Sequence, residues 1–342
     1  MEQIRQIVFT KKNTAELLEK PVPALGDNQV MVRTEISTIS CGTERANITG
    51  DVNTSVTSEA FEKPRFPVCC GYSSAGTVVK TGVNVTKVKA GDRVCVFWGC
   101  HASYNIVPEA QVVKLEDSNI SFADAAISFI ASFPLAAIRK TRLELGESML
   151  VMGLGILGQL AVKLALSAGA APVIAADPIE ERRKNAADCG ADYALDPLAP
   201  DFAEKVKEIT HGGANTAVEV TGVGAGLDET LDCMAKLGRV SLLGCTRDKN
   251  FTIDYYRKVH GPGISLIGAH TLARPDKESY PGYFTHEDDI KSILKLCAAG
   301  RLTLADMVEE IHSPADCGGV YNRLVNDRNF PAAVQFDWTR LN

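Results

Sequence analysis

The period of apolar and polar positions changes twice along the chain. In the first 120 residues, Gln29–Ile36, Ala75–Val79 and Arg93–Phe97 alternate or are rich in β-branched residues, with Gly, Pro and Asn between them. This pattern predicts a β-rich region. Residues 121–145 read as helical, and Phe122–Ile138 is a largely apolar run of 17 positions that contains Asp124 and Pro134. That run is short for a membrane span and predicts a buried helix. From Ser148 strands and helices alternate. Strands are expected at Leu150–Met152, Pro172–Ala176, Tyr193–Leu195, Thr216–Val220, Arg239–Leu243 and Ile264–Ile267. Helices are expected after Gly158, over Glu180–Cys189, over Asp201–Ile209, and over Leu227–Lys236 closed by Gly238. Six strands joined by crossover helices predict an α/β doubly wound parallel sheet. After His270 the rhythm breaks. Thr285 and Asp288 make a capping box ahead of a helix bearing Ile290, Ile293, Leu294 and Cys297 on one face, and Ala333–Trp338 reads as a strand.

Within the alternating part, Ser148–Asp177 carries chemistry. Leu150–Met152 is followed by Gly153, Gly155 and Gly158 in the pattern G-x-G-x-x-G, and then by an amphipathic run from Leu157 to Ala168. An acid, Asp177, stands at the end of the next strand, about 20 residues on, which is the context that gives the motif meaning. The first glycine permits a tight turn, the second lets backbone approach a pyrophosphate, and the third lets helix and strand pack closely. Unpaired N–H groups at the helix start then meet the phosphate charge. Asp177 would accept from both adenosine ribose hydroxyls and repel a 2′-phosphate, so the expected cofactor is NAD rather than NADP. The residues expected to bind it are Gly153, Gly155, Ile156, Leu157, Gly158, Asp177, Arg182, Thr221 and Gly244.

Composition narrows the reading. A chain of 342 residues has room for two domains, and a net charge of −6 without any long basic run argues against a nucleic-acid partner. The N-terminus MEQIRQIVFT has no apolar secretory core. Ten cysteines are scattered without C-x-x-C spacing, which points to reduced thiols in a cytoplasmic protein and to no four-cysteine zinc site.

Several motifs taken together resemble the medium-chain dehydrogenase/reductase family: CGTE at Cys41–Glu44, FPVCCGYSSAGTV at Phe66–Val78, KAGDRV at Lys89–Val94, the Gly153–Gly158 loop, and VEVTG at Val218–Gly222. Within that family, GTE with GYSSAGTV and His101-Ala102 is most similar to the bacteriochlorophyllide-type hydroxyethyl dehydrogenase branch. The resemblance implies a GroES-like catalytic domain over residues 1–120, completed by 271–342, and a Rossmann domain over 121–270. It implies an active site between them and a homodimer or higher oligomer formed through an edge strand such as Ile264–Ile267.

The resemblance also marks where zinc would sit. Cys41 matches the first family ligand, but Tyr72 stands at the second position, Ser73 replaces the neighbouring Glu, and Ile130 stands at the third. Catalytic zinc takes about three protein ligands, so no metal is expected. Donors to the substrate oxygen must then be side chains. The expected catalytic residues are Thr43, which matches the family's relay hydroxyl, with Tyr72 and His101 as alternatives. The implied function is an NAD(H)-dependent alcohol dehydrogenase or ketone reductase without catalytic zinc, acting on a small secondary alcohol or ketone. A zinc-independent enoyl or quinone reductase and a non-catalytic NAD-binding protein are the alternatives.

Overall fold

The computed structural model of the chain describes residues 3–51, 66–245 and 250–341. It divides into two compact units, Met1–Ile130 with Ile290–Asn342, and Ala131–Asp289.

The first unit is β-rich. Strands β1 (Gln3–Lys11) and β2 (Thr14–Pro21) form an antiparallel hairpin that turns at Asn13, in the left-handed region at φ 57°. Strand β3 (Gln29–Thr38) buries Val30, Val32 and Thr34 and turns Arg33 outward, as alternation requires. Helix α1 (Cys41–Thr49) follows, and β4 (Val68–Cys69) pairs with β1. Strands β5 (Ser73–Thr81), β6 (Arg93–Phe97), β7 (Tyr104–Pro108) and β8 (Val112–Lys114) complete this stretch, with β3 bonded to both β5 and β7. Valines supply much of the core here: Val30, Val32, Val78, Val94, Val96, Val107 and Val112 are all buried. The apolar run becomes α2 (Phe122–Thr141), and the division between the units falls inside it. It is long and apolar enough to cross a membrane, yet 78% of its most apolar window is buried inside the protein.

The second unit is the doubly wound sheet. In chain order it runs β9 (Met149–Met152), α3 (Ile156–Ser167), β10 (Val173–Ala176), α4 (Glu180–Asp188), β11 (Tyr193–Leu195), α5 (Phe202–Ile209), β12 (Ala214–Glu219), α6 (Gly224–Asp232), β13 (Met234–Leu242) and β14 (Ser265–Gly268). Every pairing is parallel, in the order β11-β10-β9-β12-β13-β14. The central strands β9 and β10 are buried along their whole length, which explains their unbroken apolar sequences.

One boundary differs from the sequence reading. The helix expected over Leu227–Lys236 ends at Asp232, and Met234–Lys236 already belong to β13. Met234 pairs with Ala214 before the register shifts, and Leu237 takes φ 63°, with its N–H bonded to Pro262 O at 2.9 Å. A bulge ahead of a strand thus ends with Gly238, where the pattern alone suggests the close of a helix.

The predicted capping box opens α7 (His286–Ala298), with Asp288 N donating to Thr285 Oγ1 at 3.2 Å. The chain then rejoins the first unit through β15 (Glu310–His312), α8 (Cys317–Asn326) and β16 (Val334–Asp337), and β16 pairs with β3.

Strand β14 ends the six-stranded sheet, and its Leu266 is 37% exposed. Pairing such an edge across a two-fold axis would remove it. We expect a dimer in light scattering at micromolar concentration, and a monomer for Leu266→Asp. A monomeric wild type would refute this.

Candidate active site

Met152, Ala176, Glu219 and Leu242 lie in one row across β10, β9, β12 and β13. The residues that follow them therefore emerge at the same edge, the carboxyl end of a parallel sheet, and they flank the β9–β12 boundary where the strand order reverses. That is where open α/β sheets bind ligands. The expected cofactor residues are gathered here by topology.

Each glycine of the loop has its own reason. Gly153 sits at φ 97°, where a side chain would be strained. A Cβ on Gly158 would stand 1.9 Å from Gly153 O, so only glycine lets α3 start this close to β9. A Cβ on Gly155 would meet nothing within 4 Å. Open space therefore lies in front of the first turn of α3, where the N–H groups of Ile156, Leu157 and Gly158 have no intrahelical acceptor in their own helix. At the neighbouring strand ends, Gly222 takes φ 70° and a Cβ on Gly244 would come within 2.5 Å of Gly222 N. Thr221 donates both its N–H, at 2.8 Å, and its hydroxyl to Glu219 Oε1. Burial raises the Glu219 pKa, and those two bonds oppose the rise.

Asp177 has a second task that the sequence did not show. Its Oδ2 accepts from Leu154 N at 2.8 Å and its Oδ1 from Ile179 N at 2.9 Å, so it ties the glycine loop to β10. Arg182 Nη1 lies 3.5 Å from Oδ2. A carboxylate has about four lone-pair sites, and two are taken by backbone.

In the first unit the polar side chains converge on Glu44, on the first turn of α1 and only 1% exposed. Its Oε1 accepts from Ser40 N at 2.9 Å and its Oε2 from the Tyr321 hydroxyl at 2.5 Å, and His101 Nε2 lies 3.2 Å from Oε2. His101 is fully buried. Its Nδ1 is 2.7 Å from Ser37 Oγ, which in turn accepts from Trp338 Nε1 at 2.8 Å. The donors form a complete chain when Trp338 donates to Ser37, Ser37 to His101 Nδ1, and Nε2–H to Glu44; the tautomer follows from the network. The Ser40 hydroxyl is hydrogen-bonded to Tyr72. Tyr72, Trp98 and Phe129 pack together, with ring centroids 5.0–5.6 Å apart. Trp98 is held at φ 57°, a conformation that costs a non-glycine residue about 1–3 kcal/mol.

The structure thus links Tyr72 to His101 through Ser40 and Glu44, with the imidazole inside the core. Thr43 is exposed on the same turn of α1 as Glu44. Glu44, Ser37, Ser40 and Tyr321 were not singled out by sequence reasoning. Glu44 had a signal, as the last residue of CGTE. Tyr321, 277 residues away, had none.

Residues 26–117 match the family profile described as the alcohol dehydrogenase GroES-like domain, and residues 157–284 match the one described as zinc-binding dehydrogenase. An L-threonine 3-dehydrogenase of Caldanaerobacter subterraneus subsp. tengcongensis is 30% identical over 75% of this chain and 80% of its own. The chain belongs to the zinc-binding alcohol dehydrogenase family. It is similar, at 25% identity over 94% of its length and 96% of the relative's, to the D-guloside 3-dehydrogenase of Escherichia coli K12. Two solved structures share the fold. An alcohol dehydrogenase of Escherichia coli CFT073 complexed with NADH has TM-score 0.83, at 16% identity over 99% and 100% of the two chains. A zinc-binding dehydrogenase of Sinorhizobium meliloti 1021 bound to NADP has TM-score 0.80, at 19% identity over 98% and 100%.

The family implies zinc, and the positions that would hold it do not fit. Cys41 Sγ lies 3.7 Å from Pro331 O and 3.6 Å from Ala332 O, Tyr72 is engaged by Ser40, and Ile130 is fully buried. One sulfur is left where about three ligands are needed. Among the described residues one other group has metal-binding chemistry: ligand atoms of Glu44, Cys70 and His101 lie within 4.8 Å of one another. Each already has a protein partner. Cys70 Sγ is 3.6 Å from the Tyr321 hydroxyl, and burial, then Glu44, pushes its thiol well above the ordinary value. We read the trio as a hydrogen-bonded core cluster.

The glycine loop makes two variants separable. Gly158→Ala drives a methyl into Gly153 O and should destabilise the protein by about 1–3 kcal/mol in denaturant titration. Gly155→Ala should leave stability unchanged and weaken nicotinamide-dinucleotide binding at least tenfold by calorimetry. Unaltered binding would show that nothing docks in that space.

Proposed function

We propose that this chain is an NAD(H)-dependent dehydrogenase that interconverts a small secondary alcohol and its ketone without catalytic zinc. The observation that supports the reading is the glycine loop Gly153–Gly158, closed against β9 and tied to Asp177, together with Tyr72 at a position the family resemblance gives to a zinc ligand. The relatives support the reaction class. They are named L-threonine 3-dehydrogenase and D-guloside 3-dehydrogenase, and carbon 3 of threonine bears a secondary hydroxyl.

When bound, the nicotinamide supplies the hydride acceptor or donor. The residues of this chain do the rest. The first turn of α3 meets the pyrophosphate, and the remaining lone pairs of Asp177 meet the adenosine ribose. A carbonyl oxygen gains negative charge as hydride arrives at its carbon, so a donor must be placed at that oxygen. Thr43 and Tyr72 are the hydroxyls we assign to this task. Ser40 takes a place in the relay behind Tyr72, and His101 acts through Glu44 as a positioning residue. The Tyr72, Trp98 and Phe129 rings supply an apolar wall for the carbon skeleton.

Cofactor choice tests Asp177. NADH should bind at least tenfold more tightly than NADPH, since each charge-assisted bond to ribose is worth about 1.5–3 kcal/mol. Arg182, 3.5 Å from the carboxyl group, is the residue that could instead meet a phosphate. Asp177→Asn removes the charge and keeps an acceptor for one of the two backbone N–H groups, Leu154 or Ile179, so it should narrow the gap. Equal affinities in the wild type, by calorimetry, would overturn the assignment.

Metal and donors are tested together. Purified protein should hold well under one zinc per chain and keep its NAD-linked turnover of secondary alcohols in a chelator. Thr43→Val and Tyr72→Phe should each lower kcat by about 10²–10⁴-fold with cofactor affinity nearly unchanged. Stoichiometric zinc, through Cys41 or through Glu44, Cys70 and His101, would refute the zinc-free mechanism. So would wild-type turnover in both variants.

A further inference from the structure

Two cysteines outside the groups described above lie on adjoining segments. Cys69 ends β4, and Cys100 lies in the loop between β6 and β7. Backbone bonds hold the two segments side by side: His101 N donates to Cys70 O at 2.7 Å, Ile7 N donates to His101 O at 2.9 Å, and Val8 pairs with Cys69. Cys100 is the first cause that lowers the Cys69 thiol. Lys20 Nζ is 3.8 Å from the same sulfur and is held there by Gln6 Oε1 at 2.9 Å. Cys69 is exposed and Cys100 half-buried, and both are free thiols.

The rest of the cysteine set gives the contrast. Cys95 and Cys233 are buried, and burial pushes each thiol up to about 12. Burial likewise raises Cys317 to about 11. At Cys69 the hydrogen bond from Cys100, and then the Lys20 ammonium, act in the opposite direction and outweigh partial burial. A thiol beside a lysine, reachable from solvent and with a second thiol on the adjoining segment, has the surroundings of a reactive cysteine with its resolving partner.

We propose that Cys69 and Cys100 form a peroxide-reactive pair, in which Cys69 attacks and Cys100 resolves. The Cys69 thiolate attacks one oxygen of hydrogen peroxide. The S–O bond forms, the O–O bond breaks, and hydroxide leaves and takes a proton as water. Cys69 is now a sulfenic acid. The Cys100 sulfur attacks the Cys69 sulfur, so the S–S bond forms and the S–O bond breaks. The departing hydroxide takes the Cys100 proton as a second water. Two thiols are oxidised to one disulfide, and the peroxide is reduced. The product joins the segments that carry Tyr72 and His101, and the proposal is independent of the reaction assigned above.

Peptide mass spectrometry tests it on the full-length reduced protein. After stoichiometric hydrogen peroxide and alkylation, the wild type should yield a peptide pair joined through Cys69 and Cys100. Cys100→Ser should give a dimedone adduct on Cys69 and no disulfide. Cys69→Ser should leave Cys100 reduced, and Lys20→Met should slow disulfide formation severalfold. A measurement without variants complements these: in the native wild type, iodoacetamide should label Cys69 at least tenfold faster than Cys95. Cys69 left reduced by peroxide, its conversion to sulfinic acid with Cys100 untouched, or labelling of Cys69 no faster than Cys95 would each overturn the proposal.

Discussion

A carboxyl group taken out of water must be met by hydrogen-bond donors, and in the first unit that demand falls on Glu44. Its three donors are far apart along the chain, Ser40 just before α1, Tyr321 in α8 and His101 in the loop before β7, and Ser37 and Trp338 stand behind His101. Left alone, a buried charge or an unpaired carboxyl would cost several kcal/mol. Satisfying it fixes where α1 begins, where the Ser40 hydroxyl stands, and so what Tyr72 can bond. The C-terminal segment is drawn into the same cluster, with Tyr321 and Phe336 packed against Phe9 and the His101 ring. The polar network and the apolar core around it are one piece of construction.

The second unit rests on a different constraint, the distance at which a helix can approach the strand that feeds it. With a side chain at Gly158 excluded by the carbonyl of Gly153, α3 starts against the end of β9 and faces open space. Asp177, itself buried, pins Leu154 of the loop to the end of β10. A carboxylate that holds the loop in shape cannot be exchanged freely for one that only recognises a ribose. This separates the charge of Asp177 from its acceptor function.

Membership of the zinc-binding family and the zinc-free reading proposed above are compatible in physical terms. What hydride transfer requires at the substrate oxygen is a source of positive potential, and hydroxyl donors in an apolar setting can supply it. The Tyr72, Trp98 and Phe129 rings pack against one another and lower the polarity around the Tyr72 hydroxyl, which strengthens its bond with Ser40.

Much of this was legible in the sequence, where the physics is local. A G-x-G-x-x-G between an apolar strand and an amphipathic helix, with an acid one strand later, states its own backbone geometry, and the structure has Gly153 in the left-handed region and the parallel strands in place. That Tyr72 and Ile130 stand where the family resemblance puts zinc ligands was likewise readable from the motifs, while the grouping of Glu44, Cys70 and His101 was not. The end of α6 was not legible, because Leu227, Leu231 and Met234 fit a helical period and only pairing with Ala214 makes Met234 a strand residue. Nor were the partners of Glu44, the burial of His101, the bond from Leu154 to Asp177, or the meeting of Cys69 with Cys100. Each joins residues that the chain keeps apart and only the closed sheets bring together. Periodicity and motif spacing report how a segment relates to its own neighbours. Which distant side chain satisfies a buried group depends on which surfaces the fold has pressed against each other, and that the tertiary structure alone decided.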